Sequence, residues 1–176
     1  YGIAPEKIVT VYNAVEPIHQ KKEFKFKKGF NEKVVTFLGR ITLQKGPEYF
    51  VEAANKVLQK MDNVRFVMAG SGDMMNKMIK RTAELGITNK FHFTGFLKGD
   101  EVFEMLNMSD VYIMPSVSEP FGISPLEAMQ MNVPVIISHQ SGVAEILTHA
   151  KKIDFWDVDA MADAIHGILS YPALSK

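Results

Sequence analysis

The run Val34-Val35-Thr36-Phe37-Leu38 passes straight into Gly39-Arg40-Ile41-Thr42-Leu43-Gln44-Lys45-Gly46, and a helical pattern opens immediately after it at Pro47. The first five residues are a short, nearly continuous apolar run, the pattern of a strand buried on both faces. Glycine lets the chain turn, and Pro47 suits the first turn of a helix. From Pro47 to Lys60, Phe50, Val51, Ala54, Val57 and Leu58 fall on one stripe of helical period. The same alternation continues along the chain. Strands are predicted at Val64–Ala69, Phe91–Thr94, Val111–Met114 and Val133–Ile137. Helices are predicted over Met74–Leu85, Asp100–Leu106 and Ser124–Met131, from about Val143, and over Asp157–Leu169. Strand and helix in strict alternation specify an α/β fold, a doubly wound parallel sheet with helices on both faces.

The 176 residues, 47% of them hydrophobic, suffice for one domain with its own core and fall short of two domains of ordinary size. Lys+Arg and Asp+Glu are 20 each, so no net charge grips nucleic acid. No apolar run approaches the roughly 18–20 residues of a spanning helix. There is no cysteine, hence no disulfide or thiolate metal site, which fits a reducing, cytoplasmic compartment. The segment Lys21–Lys28 carries five lysines around Phe24 and Phe26. It reads first as a solvated connection and second as a peripheral contact with the inner face of a membrane. The chain opens on Tyr1 rather than Met, and the expectation is a piece of a longer protein.

In open α/β sheets ligands bind beyond the carboxyl ends of the strands, where helix N-termini also point. The loops at that edge are Gly39–Gly46, Gly70–Asp73, Gly95–Asp100, Pro115–Ser124 and Ser138–Gly142. In the first, Arg40 and Lys45 precede a helix N-terminus, which suits a phosphate. Taken alone, they also fit two solvent-facing cations. The fourth loop carries Glu119 and, in the helix after it, Glu127. Pro120, Gly122 and Pro125 forbid one helix through both, and even an ideal helix would set them about 80° apart. Gly122 lets backbone N–H groups approach an anion. Ser124-Pro125-Leu126-Glu127 equally reads as a capping box, and Glu119 as a solvated loop carboxylate. The five histidines (His19, His92, His139, His149 and His166) lack ligand spacing; His92 is expected packed inside its strand. Asp157-Val158-Asp159 is expected to cap the last helix rather than hold a metal.

Nearly the whole chain resembles the C-terminal, nucleotide-sugar-binding half of the retaining glycosyltransferases of family four, which have the two-domain GT-B architecture built from Rossmann-like halves. The resembling pieces come in the family's order. They are Val11-Tyr12-Asn13-Ala14-Val15-Glu16, Gly39-Arg40 with Lys45-Gly46, Met68-Ala69-Gly70-Ser71-Gly72 and Phe93-Thr94-Gly95-Phe96. Then follow Asp110 to Ser116, the Glu119–Glu127 segment, and Gly142-Val143-Ala144-Glu145-Ile146. Any one is a weak signal; the ordered set is specific. Ala14 and Ser141 stand where the family usually has glycine.

The resemblance implies a linker over residues 1–30 packing on a donor-binding domain over 31–176, with an acceptor-binding N-terminal domain outside this chain. It implies transfer of a sugar from a nucleoside-diphosphate-sugar (UDP, GDP or ADP) to a glycan, lipid or other hydroxyl acceptor, without a metal cofactor and with little activity from this piece alone. Arg40 and Lys45 would bind the diphosphate and stabilise it as it leaves, and Glu119 would contact the donor sugar and distal phosphate. The backbone of Phe121, Gly122 and Ile123 would join Glu119. Glu127 would take the ribose hydroxyls, Gly39 and Gly70 would line the donor site, and the main chain at Phe96 and Leu97 would meet the base. Three other readings stand beside this one. An epimerase or phosphorylase of the same architecture would demand further acid/base residues. A degenerate nucleotide-binding module would have no need of all four charged residues. A Rossmann dehydrogenase would require Gly-x-Gly-x-x-Gly where this chain has Gly39-Arg40-Ile41.

Overall fold

The computed structural model describes residues 2–17, 28, 29 and 31–171. Of the basic segment Lys21–Lys28, all but Lys28 lies outside the described residues; Lys28 ion-pairs with Asp110. Six strands form one parallel sheet: β1 (Lys33–Leu38), β2 (Val64–Ala69), β3 (Phe91–Gly95), β4 (Val111–Met114), β5 (Val135–Ser138) and β6 (Lys151–Ile153). Their order is β3-β2-β1-β4-β5-β6, every neighbouring pair parallel. The helices are α1 (Pro47–Leu58), α2 (Met75–Glu84), α3 (Asp100–Asn107), α4 (Ser124–Gln130) and α5 (Val158–Ser170).

Side chains alternate across the sheet with the two-residue period of a strand. Val111 and Ile113 of β4 enter the core layer containing Phe50 of α1, Met78 of α2 and Ile165 of α5. Tyr112 and Met114 enter the opposite layer, with Leu106 of α3 and Ala128 of α4. Aromatic rings tie β1, β2 and β3 together beneath α1. Phe50 meets Phe37, Phe66 and Phe91 at centroid distances of 5.7, 5.8 and 5.9 Å. Truncating one such buried ring typically costs about 3–5 kcal/mol, so these strands form a stiff base.

Four expectations need correction. A sixth strand, β6, was not legible: only three residues long, it opens on Lys151-Lys152 and pairs with β5 alone. The helix expected from Val143 is a single 3₁₀ turn, Gly142–Glu145. Its first N–H groups go to the β4 loop, Gly142 N–H to the Glu119 carbonyl and Val143 N–H to that of Phe121, both at 2.8 Å. β5 starts at Val135 because Pro134 has no N–H for the ladder. His92 is exposed, since β3 is an edge strand with one partner.

The expected cap of α5 is present, with Asp157 accepting from the Ala160 N–H at 2.9 Å. Asp159 pairs with Lys56 at 2.6 Å. Among the described residues no helix is long and apolar enough to cross a membrane.

Glycine is obligatory where the β1 loop meets the β4 loop. Gly46 has φ +66°, and a Cβ there would lie 2.1 Å from the Pro115 carbonyl oxygen. Gly86 has a similar φ of +71° but open space around it. Gly86→Ala should therefore cost about 1–2 kcal/mol from backbone strain alone. Gly46→Ala should cost roughly 3 kcal/mol or more, because a backbone must also move. Urea unfolding of the two variants side by side checks the difference.

Candidate functional site

The strand order reverses between β1 and β4, the topological switch point where a crevice opens at the carboxyl edge. The β1 loop holds Arg40 and Lys45; the β4 loop holds Glu119 to Ile123. Backbone hydrogen bonds join the loops. The Gln44 carbonyl accepts from Val117 N–H at 2.9 Å and from Ser118 N–H at 3.4 Å. On the other side of β1, the Gly39 N–H donates to the Ala69 carbonyl and the Gly70 N–H to that of Gly95. Gly70 packs so closely that a Cβ would lie 1.8 Å from the Gly39 carbonyl oxygen. The glycines ending β1, β2 and β3 thus form one continuous backbone shelf.

The charged residues sit on this frame. Lys45 and Glu119 form an ion pair, their side chains only 19% and 10% exposed. Burial, followed by the nearby Arg40 charge, holds the Lys45 ammonium below the usual lysine range. Arg40 is exposed, and its guanidinium donates to Gln44 Oε1 at 3.2 Å. Gly122, at φ +95°, packs against Met114 and the Glu119 side chain, where a Cβ would approach Met114 Cε to 2.9 Å. Phe121 is buried and Ile123 exposed. At the end of β3, Leu97 is half-buried while the Phe96 ring is 67% exposed.

Glu127 occupies the same edge without joining the cluster. Among the described residues no hydrogen bond or ion pair links its carboxylate to Arg40 or Lys45. The capping box does not form: Ile123 holds the cap position, and α4 has no side-chain cap. Ser124 instead bonds the Tyr112 hydroxyl at 2.9 Å. The half-buried Glu127 carboxyl is pushed above the usual carboxylate range by burial. Tyr112, fully buried, is raised for the same first reason.

Two positioning residues were missed in the sequence. Gln44 looks like any polar loop residue, and Tyr112 like one more core aromatic; only the fold brings the first to Arg40 and the second beside Ser124. The departure at Ser141 is absorbed locally, because its buried hydroxyl donates to the Ser138 carbonyl at 2.7 Å. The close approach falls on Gly142, where a Cβ would lie 2.1 Å from the Pro120 carbonyl oxygen.

The N-terminal segment also reaches this edge. The Tyr12 ring lies 6.2 Å from that of Phe121, and its hydroxyl donates to Glu145 at 3.2 Å. A polar pocket of about 550 Å³ adjoins Glu119 and is lined by His139, Gln140, Gly142, Glu145 and Lys152. A larger cavity of about 800 Å³ opens at the amino edge, beside Pro134, Val135 and Lys151, away from the charged cluster. Among the described residues no group of three or more His, Asp or Glu side chains could hold a metal ion.

Comparison with known proteins settles the family. The family model described as Glycosyl transferases group 1 matches residues 20–176. The chain belongs to that family. It is 36% identical over 159 residues to an uncharacterized glycosyltransferase of Methanocaldococcus jannaschii, covering 85% of this chain and 40% of the relative. The C-terminal domain of a group 1 glycosyl transferase from Francisella tularensis superposes with a TM-score of 0.75 at 24% identity, covering 81% of this chain and 78% of that one. HepE of Anabaena, solved in complex with UDP and glucose, gives a TM-score of 0.76 at 20% identity, over 82% of this chain and 41% of HepE. The glycosyltransferase domain described here therefore has the Rossmann-like architecture of a GT-B half. It spans about two fifths of the length of the curated relatives it matches.

The raised Glu127 carboxyl has a stability consequence with a definite sign. Its folded form holds a proton at pH values where the unfolded chain has lost it, so its contribution to stability falls as pH rises from the ordinary carboxylate range through the raised value. Glu127→Gln should remove that slope, leaving the variant relatively more stable than the parent as pH increases. Urea unfolding of both proteins over a pH series reads the difference directly.

Proposed function

We propose that this domain binds the donor of a retaining, family-four glycosyltransferase, which moves a sugar from a nucleoside-diphosphate-sugar to a glycan, lipid or other hydroxyl acceptor. One observation carries the proposal: Lys45 on the β1 loop pairs with Glu119 on the β4 loop across the switch point, with the Arg40 charge near Lys45 and a glycine shelf beside them. Fixed cations and backbone N–H groups suit a diphosphate, and carboxylates suit hydroxyls.

In this reading Arg40 and Lys45 grip the diphosphate, and Glu119 with the Phe121–Ile123 backbone contacts the sugar and distal phosphate. Glu127 accepts from the vicinal ribose hydroxyls, Gly39 and Gly70 line the donor site, and the base meets the main chain at Phe96 and Leu97. During transfer the bond from the anomeric carbon to the diphosphate oxygen breaks, the acceptor oxygen bonds to that carbon, and the acceptor's hydroxyl proton passes to the departing diphosphate. Negative charge grows on the departing diphosphate. Two cations already in place stabilise it there without a divalent metal. The acceptor would be held by a second, N-terminal domain of the full-length enzyme. That reading is in keeping with the two fifths of its relatives' length that this chain spans.

Titration calorimetry with UDP, GDP and ADP tests the donor site. At least one should bind, and Arg40→Ala or Lys45→Ala should each weaken it by about tenfold or more, the loss of a charge-assisted hydrogen bond. Indifference of all three ligands to both substitutions would remove the assignment. The isolated chain should show little or no transfer when its products are analysed.

A further inference from the structure

The Lys45–Glu119 ion pair joins the two groups that the proposed donor site uses for different parts of its ligand. Lys45 is assigned to the diphosphate and Glu119 to the sugar, yet without donor each is the other's partner. Both side chains are largely buried, so water compensates poorly for separating them. The Lys45 ammonium, already disfavoured by burial and by Arg40, has Glu119 as its one ion-pair partner among the described residues.

We infer that Glu119 is a specificity-determining residue that makes the site discriminate against nucleoside diphosphates lacking a sugar. This inference rests on the donor-site reading above. A diphosphate arriving at Lys45 must displace the Glu119 carboxylate and then lie beside a negative charge it has left unpaired. A bare nucleoside diphosphate offers that carboxylate nothing in return. A nucleotide sugar supplies hydroxyl donors and so restores a partner to the displaced group. The cost of breaking the pair falls on both ligands, but only the complete donor offsets it. One consequence is easier release of the product nucleotide once the sugar has gone, because Glu119 regains Lys45.

The test is titration calorimetry of the parent chain, Lys45→Ala, Glu119→Gln and the double variant. The probes are UDP, GDP and ADP and the corresponding nucleotide-glucose compounds. Glutamine keeps the size and hydrogen-bonding capacity of the side chain and removes the competing charge. Glu119→Gln should tighten the bare nucleoside diphosphate by about five- to tenfold, somewhat below the coupling measured for close charge pairs. It should also shrink the preference for the nucleotide sugar over the bare nucleotide. In the Lys45→Ala background the tightening should be much smaller, since the pair is already broken.

Unchanged or weaker binding of the bare nucleotide by Glu119→Gln overturns the inference. So does an equal gain with and without Lys45, which would point to a general charge or loop effect. These outcomes are separable from failure of the donor-site reading. That reading fails if the parent binds none of the ligands, or if Lys45→Ala binds them as well as the parent does.

Discussion

The site is organised by the junction between two loops that are far apart in sequence and meet at the switch point of the sheet. The Gln44 carbonyl accepts two N–H groups of the β4 loop, Gly46 packs onto the Pro115 carbonyl, and Lys45 pairs with Glu119. Three consecutive residues therefore make three kinds of contact with one partner segment. Backbone hydrogen bonds set the spacing, close packing excludes a side chain, and the ion pair brings opposite charges to the same point. Displacing either loop would break all three at once, which explains how exposed-edge loops hold charged groups in one geometry.

Beneath that junction the fold supplies stiffness. The phenylalanines between α1 and strands β1 to β3 stiffen the sheet on one side of the switch point. Tyr112 spans the other, buried under α4 with its hydroxyl on Ser124. The donor reading needs this: electrostatic stabilisation works when charges are in position before the reaction, so that no reorganisation accompanies the charge that develops. The 3₁₀ turn after β5 serves the same end, because its first N–H groups bind the carbonyls of Glu119 and Phe121 instead of starting a helix.

The charged residues differ in electrostatic state as well as position. Arg40 is exposed and held by a neutral amide, whereas Lys45 is largely buried and neutralised by Glu119. Glu127, a few residues away in sequence, is half-buried without a counter-ion among the described residues and holds its proton more tightly than an ordinary carboxylate. Two glutamates that look alike in the sequence thus differ in state, one an ion-pair partner and the other half-buried with its proton held by burial.

Five of the six strands, all five helices to within two residues, and the functional edge were legible, because core-facing strands and helices carry their period in the sequence itself. The exceptions have local causes. The lysine-led β6 is too short for a pattern, His92 lies on an edge strand, and the turn at Gly142 exchanges helical bonds for bonds to a remote loop. By itself the sequence determined which residue types stand at the carboxyl edge and in what order: two cations after β1, then glycines, then two glutamates. The tertiary structure decided which of them touch. Lys45 meets Glu119 across 74 residues of chain, Arg40 turns to Gln44, and Ser124 accepts from Tyr112 instead of capping α4. Such partnerships depend on strand order and on the depth to which each group sinks, and neither is written in the spacing of residues along one loop.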